Sequence, residues 1–374
     1  AARPPDAAAR ATVFGGEDQL PERKRPRHLA VLLNQALHDL FVKYPELVLF
    51  GEDVAKKGGV YHVTDDLFDR FGEGRCFNTL LDETSILGLA LGAAHVGLLP
   101  MPEIQYLAYF HNAEDQIRGE ACSLQYFSNG QFRNPTVVRI AGWGYQKGFG
   151  GHFHNDNSIA ALRDIPGIVV CTPSRGDDAV GMLRTCVALA KTDGRVVLFV
   201  EPIALYMTKD LYAEKDEKWS FPYPPPTEAT PFREARVYDA DVPADVLIVT
   251  WGNGAYLSLR AAKTLADKHD VKARVVDLRW LQPFDEETVL RHAREIGRVL
   301  VVDEGRRTGG LSEAILATLS ERLSSDPPVM TRYTGEDVYI PLGTAWTHVI
   351  PSEEGVVARV LHLAATPRPQ SAAR

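Results

Sequence analysis

The sequence predicts an α/β fold, in which a doubly wound parallel-sheet domain is followed by a smaller α/β domain. Three observations support this prediction. The chain has 374 residues, which corresponds to about two domains at roughly 150 residues each. Segments with apolar residues at helical spacing alternate with short, continuously apolar segments. Continuous rather than alternating apolar strands are typical of parallel sheets that helices cover on both faces.

The first predicted domain covers residues 29–206 and alternates helix and strand signals from its beginning. Its opening helix has apolar residues at helical spacing, namely Leu29, Leu33, Leu37, Leu40 and Phe41. The strand segments that follow are ELVLFGEDV, RCFNTLL, MPEIQY, PTVVRIAG, GIVVCTP and VVLFVEP. The later helical segments are SILGLALGAAHVGL, residues 111–127 and DDAVGMLRTCVALAK.

A linker is predicted over residues 207–243, because EKDEKWSFPYPPPTEATPF clusters prolines and charges and interrupts both periodicities. The second domain, residues 244–365, has strand signals in DVLIVTWGN, KARVVDLRWLQP and RVLVVDEG. Its helical signals are AYLSLRAAKTLADKH, DEETVLRHAREIG and LSEAILATLSERL. Residues 1–28 are rich in Ala, Arg and Pro, so they predict a flexible N-terminal arm or linker, and residues 366–374 predict a tail.

Composition excludes several classes of function. Apolar residues make up 45% of the chain and charged residues 24%, as in ordinary globular proteins. A net charge of -8 without a basic stripe argues against nucleic-acid binding. Apolar stretches are too short and too interrupted to span a membrane. Four irregularly spaced cysteines without a CxxC pair indicate a reducing, cytosol-like compartment.

Three segments that follow predicted strands could carry chemistry, because ligands of parallel α/β sheets bind beyond the carboxyl ends of strands. In LLDETSILG, Glu83 opens a helix, although an acidic residue there also stabilises the helix dipole. In MPEIQYLAYFHNAEDQ, Gln105 and Tyr109 are candidates, although they also suit the core and its rim. The third segment is a glycine-rich loop, GFGGHFHND, over residues 148–156.

The loop has four possible roles. A phosphate cradle is disfavoured because no GxxxxGK[ST] pattern is present. A metal site needs more ligands than His152 and His154, and Asp156 alone would add a third. A surface loop with ordinary histidines stays open, as does a catalytic imidazole that the glycines bring close to a substrate.

Several longer segments share one family pattern. In the first domain these are LNQALHDLFVKYPELVLFGEDV, GGVYHVTDDLFDRFGEGRCFNTLLDETSILGLALGAA, PEIQYLAYFHNAEDQI, GGHFHNDNS, DIPGIVVCTPS and VEPIALY. In the second they are ADVLIVTWGNGAYLSLRAA, VVDLRWLQPFDEETV and VVDEGRRTGGLSEAI. Together, over about Leu29 to Leu323, they resemble the β subunit of the thiamine-diphosphate-dependent 2-oxoacid dehydrogenases, the E1 component. The resemblance implies a pyrimidine-binding domain followed by a transketolase C-terminal-like domain.

The resemblance also implies roles for individual residues. Glu83 takes the place of the glutamate that hydrogen-bonds N1′ of the cofactor's aminopyrimidine and favours its imino tautomer. Gln105 and Tyr109 fall at cofactor-side positions, where an aromatic ring packs against the pyrimidine. His154 aligns with a histidine that contacts substrate and assists acyl transfer to lipoamide, with His152 as a possible support. The family usually has HSQS where this chain has HNDN.

One family motif is absent from the chain. The GDG and NN residues that hold the metal and diphosphate are not present, so the resemblance implies that this chain binds the pyrimidine half of thiamine diphosphate and no metal. Mg²⁺ would be held by an E1 α subunit or α region. A second β chain, in a heterotetramer, and a lipoyl-bearing E2 are the other expected partners. The alternatives are half of a transketolase or deoxyxylulose-phosphate synthase, and a noncatalytic α/β scaffold.

The resemblance leaves two questions open. Branched-chain 2-oxoacids, pyruvate and acetoin-type substrates all remain possible, because part of the substrate pocket would come from the partner. The sequence is compatible with a separate β subunit and with the β region of a fused α-β polypeptide.

Overall fold

A computed structural model of the protein describes residues 3–145 and 154–367. They form two compact units. The first contains Ala1–Gly142 together with Leu162–Phe232, and the second contains Trp143–Ala161 together with Arg233–Arg374. Both units have sheets with helices between the strands, so the predicted α/β class is confirmed.

The first unit is built on short parallel strands: β1 Leu47–Gly51, β2 Cys76–Asn78, β3 Leu99–Ile104, β4 Thr136–Gly142, β5 Val169–Cys171 and β6 Val196–Pro202. They lie in the order β5-β6-β4-β3-β1-β2, and each neighbouring pair is parallel. Every residue of β1, β4, β5 and β6 is buried. Burial of both faces explains why their sequences are continuously apolar.

Helices join these strands. In chain order they are α1 Ala7–Phe14, α2 Leu29–Lys43, α3 Leu67–Phe71, α4 Glu83–His95, α5 Leu107–Phe110, α6 Cys122–Phe127, α7 Ala160–Arg163 and α8 Gly176–Asp193. The single helix predicted over residues 111–127 is instead a 3-10 turn, His111–Ala113, a π-helical segment, Gln116–Ala121, and α6. At the start of α8, a Cβ on Gly176 would lie 2.5 Å from a Leu32 methyl carbon, so glycine allows α2 to approach closely.

The N-terminal segment differs from the predicted flexible arm, because α1 packs on α2. Asp6 caps α1 by accepting a first-turn N–H. Arg10 is 4% exposed and pairs with Asp39 of α2 at 2.6 Å and with Glu22 at 2.7 Å. Alanine has the highest helix propensity, but an ion pair rather than an apolar stripe anchors this helix. Hydrophobic periodicity therefore gave no signal for it.

Part of the proline-rich segment predicted as a linker also belongs to the first unit. The backbones of Arg27 and Phe221 exchange two hydrogen bonds of 2.8 and 2.9 Å. The Arg184 guanidinium on α8 donates to the carbonyls of Pro225 and Glu228 at 2.7 and 2.8 Å. Prolines leave these carbonyls without helix or sheet partners, and the arginine satisfies them.

The second unit contains the strands β7 Arg236–Tyr238, β8 Val246–Thr250, β9 Ala273–Asp277, β10 Trp280–Gln282, β11 Arg298–Arg306 and β12 Val329–Gly335. Five of them form a sheet in the order β12-β11-β8-β9-β7, with only β7 antiparallel to its neighbour. Its helices are α9 Asn253–His269, α10 Glu286–Ile296, α11 Leu311–Arg322 and α12 Glu353–Ala365.

Candidate functional site

Three polar side chains follow three adjacent parallel strands of the first unit. Glu52 comes directly after β1, Glu83 comes a few residues after β2, and Gln105 comes directly after β3. The strand order β3-β1-β2 places these strands side by side. Because parallel strands end at the same edge of a sheet, all three side chains emerge at the carboxyl edge, where ligands of such sheets bind.

Glu83 is half-buried at the first position of α4. Its carboxylate accepts a hydrogen bond from the Asn112 amide at 3.4 Å, and the hydroxyl of the next residue, Thr84, donates to the Asn112 carbonyl at 3.0 Å. The cap of α4 is formed by Asp82, which accepts the Ser85 N–H at 3.1 Å. Helix capping therefore does not require Glu83, and its carboxyl group is available for chemistry.

Glu52 is a site residue that the sequence analysis missed. Its side chain is buried, and burial raises its pKa, with the carboxylates of Glu83 and Asp53 adding to the effect. Carboxyl groups that lie close together resist simultaneous ionisation. The signal was present in the sequence, because Glu52 follows the strand signal LVLFG directly.

Tyr109 and Gln105 lie on the same side of the unit. The half-buried Tyr109 ring packs edge-on against Tyr106 at 5.7 Å. Burial raises the pKa of the Tyr109 hydroxyl, and Tyr106, Glu52 and Glu83 contribute further. Tyr109 is thus within electrostatic reach of both carboxyl groups. The Gln105 amide donates to Asp53 at 3.4 Å.

A buried charge cluster lies beneath Gln105. Arg139 donates to both carboxylate oxygens of Glu201 at 2.7 and 2.8 Å and to Glu103 at 2.7 Å. The Tyr206 hydroxyl donates to Glu201 at 2.6 Å. These groups and Gln105 line a cavity of about 10 Å³, which has room for about one water molecule. Each charge of this cluster therefore has a charged or hydrogen-bonding partner, as buried charges require.

The structure places His154 in the second unit, half-buried at the end of the glycine-rich loop. The next three residues, Asn155, Asp156 and Asn157, are all buried. His152 lies outside the described residues. Glu83, Gln105 and Tyr109 therefore belong to the first unit, and His154 belongs to the second.

The described part of the chain contains neither a metal-binding cluster nor a membrane-spanning helix. Among residues 3–145 and 154–367, no group of three or more His, Cys, Asp or Glu side chains has an arrangement that could hold a metal ion. Within the same ranges, no helix is both long and apolar enough to cross a membrane.

Comparison with known protein families gives two matches that cover most of the chain. Residues 27–207 match the transketolase pyrimidine binding domain, and residues 238–356 match the transketolase C-terminal domain. Among solved structures, a split-gene transketolase described as an inactive β4 tetramer aligns with a TM-score of 0.70. That alignment covers 91% of this chain and 100% of the other at 22% identity, so it supports the fold alone.

Curated relatives are similar over most of their own length. The 3-methyl-2-oxobutanoate dehydrogenase subunit beta of Mycobacterium tuberculosis is 33% identical, over 83% of this chain and 84% of the relative. The mitochondrial 2-oxoisovalerate dehydrogenase subunit beta of Dictyostelium discoideum is 33% identical over 85% and 82%. The pyruvate dehydrogenase E1 component subunit beta of Bacillus subtilis is 31% identical over 83% and 90%.

Proposed function

This chain belongs to the E1 β subunits of the 2-oxoacid dehydrogenases, and we propose that it acts with an α partner on a 2-oxoacid. The reaction is thiamine-diphosphate-dependent oxidative decarboxylation, followed by reductive acylation of a lipoyl group on E2. One observation carries the proposal: Glu52, Glu83 and Gln105 follow three adjacent strands of a domain that matches the transketolase pyrimidine binding domain.

The side chains at this edge fit an aminopyrimidine. Such a ring needs a carboxyl group opposite a ring nitrogen, and Glu83 offers one that is half-buried and not used as a cap. It also needs an aromatic neighbour and polar partners at its rim, which Tyr109 and Gln105 provide. When bound, thiamine diphosphate supplies a nucleophilic carbon and an electron sink for decarboxylation.

The carboxyl groups of this chain would supply the general acid and base for the reaction. With the cofactor bound, Glu83 would hold a ring nitrogen of the aminopyrimidine and would serve there as a general acid and base. Burial raises the pKa of Glu52, and the nearby charge of Glu83 adds to the rise, so Glu52 places a second, buried carboxyl group beside the site. Asn112 holds the Glu83 carboxylate through a hydrogen bond, which limits its rotation.

His154 is assigned to the substrate side. An imidazole can both bind an anionic group and donate a proton. The position of His154 at the end of a glycine-rich loop supports this role, because glycines allow close approach to a ligand. His152 is proposed as its support.

The proposal includes an α partner that holds Mg²⁺ and the diphosphate, a second β chain, and a lipoyl-bearing E2. Apolar side chains around the site helices are more than three-quarters exposed, namely Leu80, Leu81, Val96, Tyr126 and Phe127. Large apolar side chains that are this exposed support the proposal that a partner covers part of this surface. Since relatives include bacterial and mitochondrial proteins, we place the assembly in the cytoplasm or the mitochondrial matrix.

The function is tested by a substrate screen on the assembled enzyme. The full chain is coexpressed with the polypeptide that carries the GDG and NN residues, and acyl transfer to a purified lipoyl domain is measured with 3-methyl-2-oxobutanoate, pyruvate and other 2-oxoacids. We expect turnover that requires thiamine diphosphate and Mg²⁺. A ketol transfer between sugar phosphates, with no turnover of any 2-oxoacid, would contradict the proposal.

A further inference from the structure

We propose that Asp156 and Arg306 form a positioning pair that holds the segment bearing His154 and thereby controls acyl transfer to the lipoyl group. The inference rests on the function proposed above. It concerns two residues that are 150 positions apart in the sequence and lie within the second unit.

The pair joins the loop to the end of strand β11. The Arg306 guanidinium donates to Oδ1 of Asp156 at 3.2 Å, and the side chain of Asp156 is 9% exposed. Ser158 donates its hydroxyl to Oδ2 of the same carboxylate at 2.6 Å and its N–H to Oδ1 at 3.3 Å. A carboxylate that accepts all three bonds fixes the turn that directly follows His154.

A second anchor acts one residue later. The Asn157 amide donates to the backbone carbonyl of Glu304 at 2.5 Å. The Glu304 carboxyl group is in turn held by the Asn253 amide at 2.9 and 3.2 Å. Since β11 is buried along most of its length, these contacts tie the loop to a rigid element.

Arg306 has further contacts within the second unit that hold its guanidinium near Asp156. Its Nε donates to the Val338 carbonyl at 3.4 Å, and its guanidinium carbon lies 5.7 Å from the centre of the Tyr339 ring. These contacts orient the guanidinium before it meets Asp156. The two residues of HNDN that replace Gln and Ser of the family pattern are Asp156 and Asn157, and both contact β11. The changed sequence therefore has its own anchor, which needs the carboxylate.

The proposal is tested in the full chain and in the assembled enzyme. Arg306→Met removes the guanidinium but keeps a side chain of similar length, and Arg306→Lys keeps the charge. Arg260→Met is the matched control, because it breaks a half-buried ion pair with Glu353 on helices α9 and α12 of the same unit. Hydrogen exchange of the amides of residues 154–158 is measured in the full chain without any activity assay.

In Arg306→Met we expect exchange of residues 154–158 to rise about tenfold. Acyl transfer to the lipoyl domain should fall by about tenfold to a hundredfold, while the 2-oxoacid KM stays within about twofold and decarboxylation with an artificial electron acceptor changes little. In Arg306→Lys, the exchange of residues 154–158 and the rate of acyl transfer should both return most of the way to the wild-type values. Arg260→Met should change neither.

Three results would overturn the inference. Unchanged exchange in Arg306→Met would show that the pair does not hold the loop. A raised KM with normal exchange would make Arg306 a substrate contact. Equal losses in both half-reactions, accompanied by a loss of stability, would indicate a structural role only. If the wild-type assembly transfers no acyl group, the proposed function fails, whereas the exchange result still decides whether the pair holds the loop.

Discussion

Adjacent acidic residues at the start of α4 have different tasks. Asp82 accepts the Ser85 N–H and caps the helix, whereas Glu83 accepts a bond from Asn112, which lies 29 positions further along the chain. Both carboxylates interact favourably with the positive end of the helix dipole. The difference lies in their partners, so the two residues can be tested against each other.

Replacement of Glu83 by glutamine should remove the general acid and base that assists deprotonation of the cofactor at C2 in the assembled enzyme. We expect exchange of the cofactor C2 proton to fall by at least about a hundredfold, the usual contribution of a general acid or base. Asp82→Asn is the control, because asparagine caps helices about as well as aspartate, and it should exchange at close to the wild-type rate. Exchange in Glu83→Gln at the wild-type rate would remove Glu83 from the mechanism.

His154→Ala should impair acyl transfer more than cofactor binding. We expect the rate of reductive acylation to fall by about a hundredfold, because the substrate-side imidazole is lost, with thiamine diphosphate affinity within about threefold of the wild type. Stopped-flow acylation of a lipoyl domain and calorimetry with the cofactor measure the two effects. If acylation of the lipoyl domain is unchanged, His154 has no part in the transfer.

The sequence was sufficient to propose Glu83 and Gln105 as site residues, because each follows a strand within a recognisable motif, and the structure places both after adjacent strands of one sheet. Sequence reasoning missed Glu52, although that residue also follows a strand. It could not find the contact between Asp156 and Arg306, because hydrogen bonds between distant segments leave no local pattern. Periodicity reports which face is buried and carries no information on which polar groups meet.

At the scale of elements, α1 is held by a buried polar network rather than by an apolar face. Asp39 accepts bonds from Arg10 and from the Tyr223 hydroxyl, the latter at 2.6 Å. The network therefore joins α1, α2 and the segment that was predicted as a linker. Removal of one partner from such a network leaves a buried charge without full compensation.

Arg10→Met should lower the free energy of unfolding by about 3 kcal/mol, because Asp39 stays buried with fewer donors. Urea denaturation of the full chain measures the change. The control is Arg23→Met, since the ion pair of Arg23 with Asp18 is exposed and is worth about 0.5 kcal/mol. If the free energy of unfolding falls by the same small amount in the two variants, the network does not anchor α1.

The end of β11 contains a buried acid with neutral partners. Burial raises the pKa of Glu304 well above its usual value, Asp303 adds to the rise, and the hydrogen bond from Asn253 opposes it. The buried Oδ1 of Asn253 has no hydrogen-bond partner among the described residues. A protonated Glu304, or a glutamine at the same position, would place a neutral group with a hydrogen-bond donor beside the Asn253 amide.

Stability should therefore fall as the pH rises above the usual pKa of Glu304. In that range the folded state keeps a proton that the unfolded state releases, so a higher pH favours unfolding. Glu304→Gln should weaken this dependence and raise stability by about 1 kcal/mol or more at about pH 8. Thermal unfolding from about pH 5 to about pH 8 measures both effects. If the stability of the wild type and of Glu304→Gln depends on pH in the same way, Glu304 is ionised in the folded protein.

At the scale of the whole molecule, the order of residues along the chain differs from their grouping in space. The sequence predicts one domain over residues 29–206, whereas Trp143–Ala161 groups with the second unit and residues up to Phe232 group with the first. A proline-rich composition shows where the hydrophobic periodicity of helices and strands ends. A segment without this periodicity can still pack on either unit. The fold class was predictable because buried parallel strands leave a strong local signal, and the grouping was not.

The isolated chain should be inactive and should bind thiamine diphosphate weakly, since the proposed function assigns the pyrimidine and the substrate to its residues and the diphosphate to the α partner. A diphosphate is held through a divalent cation, whose oxygen ligands must be fixed in near-octahedral geometry. No such cluster of three or more His, Cys, Asp or Glu side chains is present in residues 3–145 and 154–367.

Calorimetry with thiamine diphosphate and Mg²⁺, first on this chain and then on the assembly with its α partner, measures the difference in cofactor affinity. We expect binding at least about a hundredfold tighter in the assembly, because only there does the cofactor meet both sets of ligands. Tight, metal-dependent binding and 2-oxoacid decarboxylation by the isolated chain would show that the site does not need a second polypeptide.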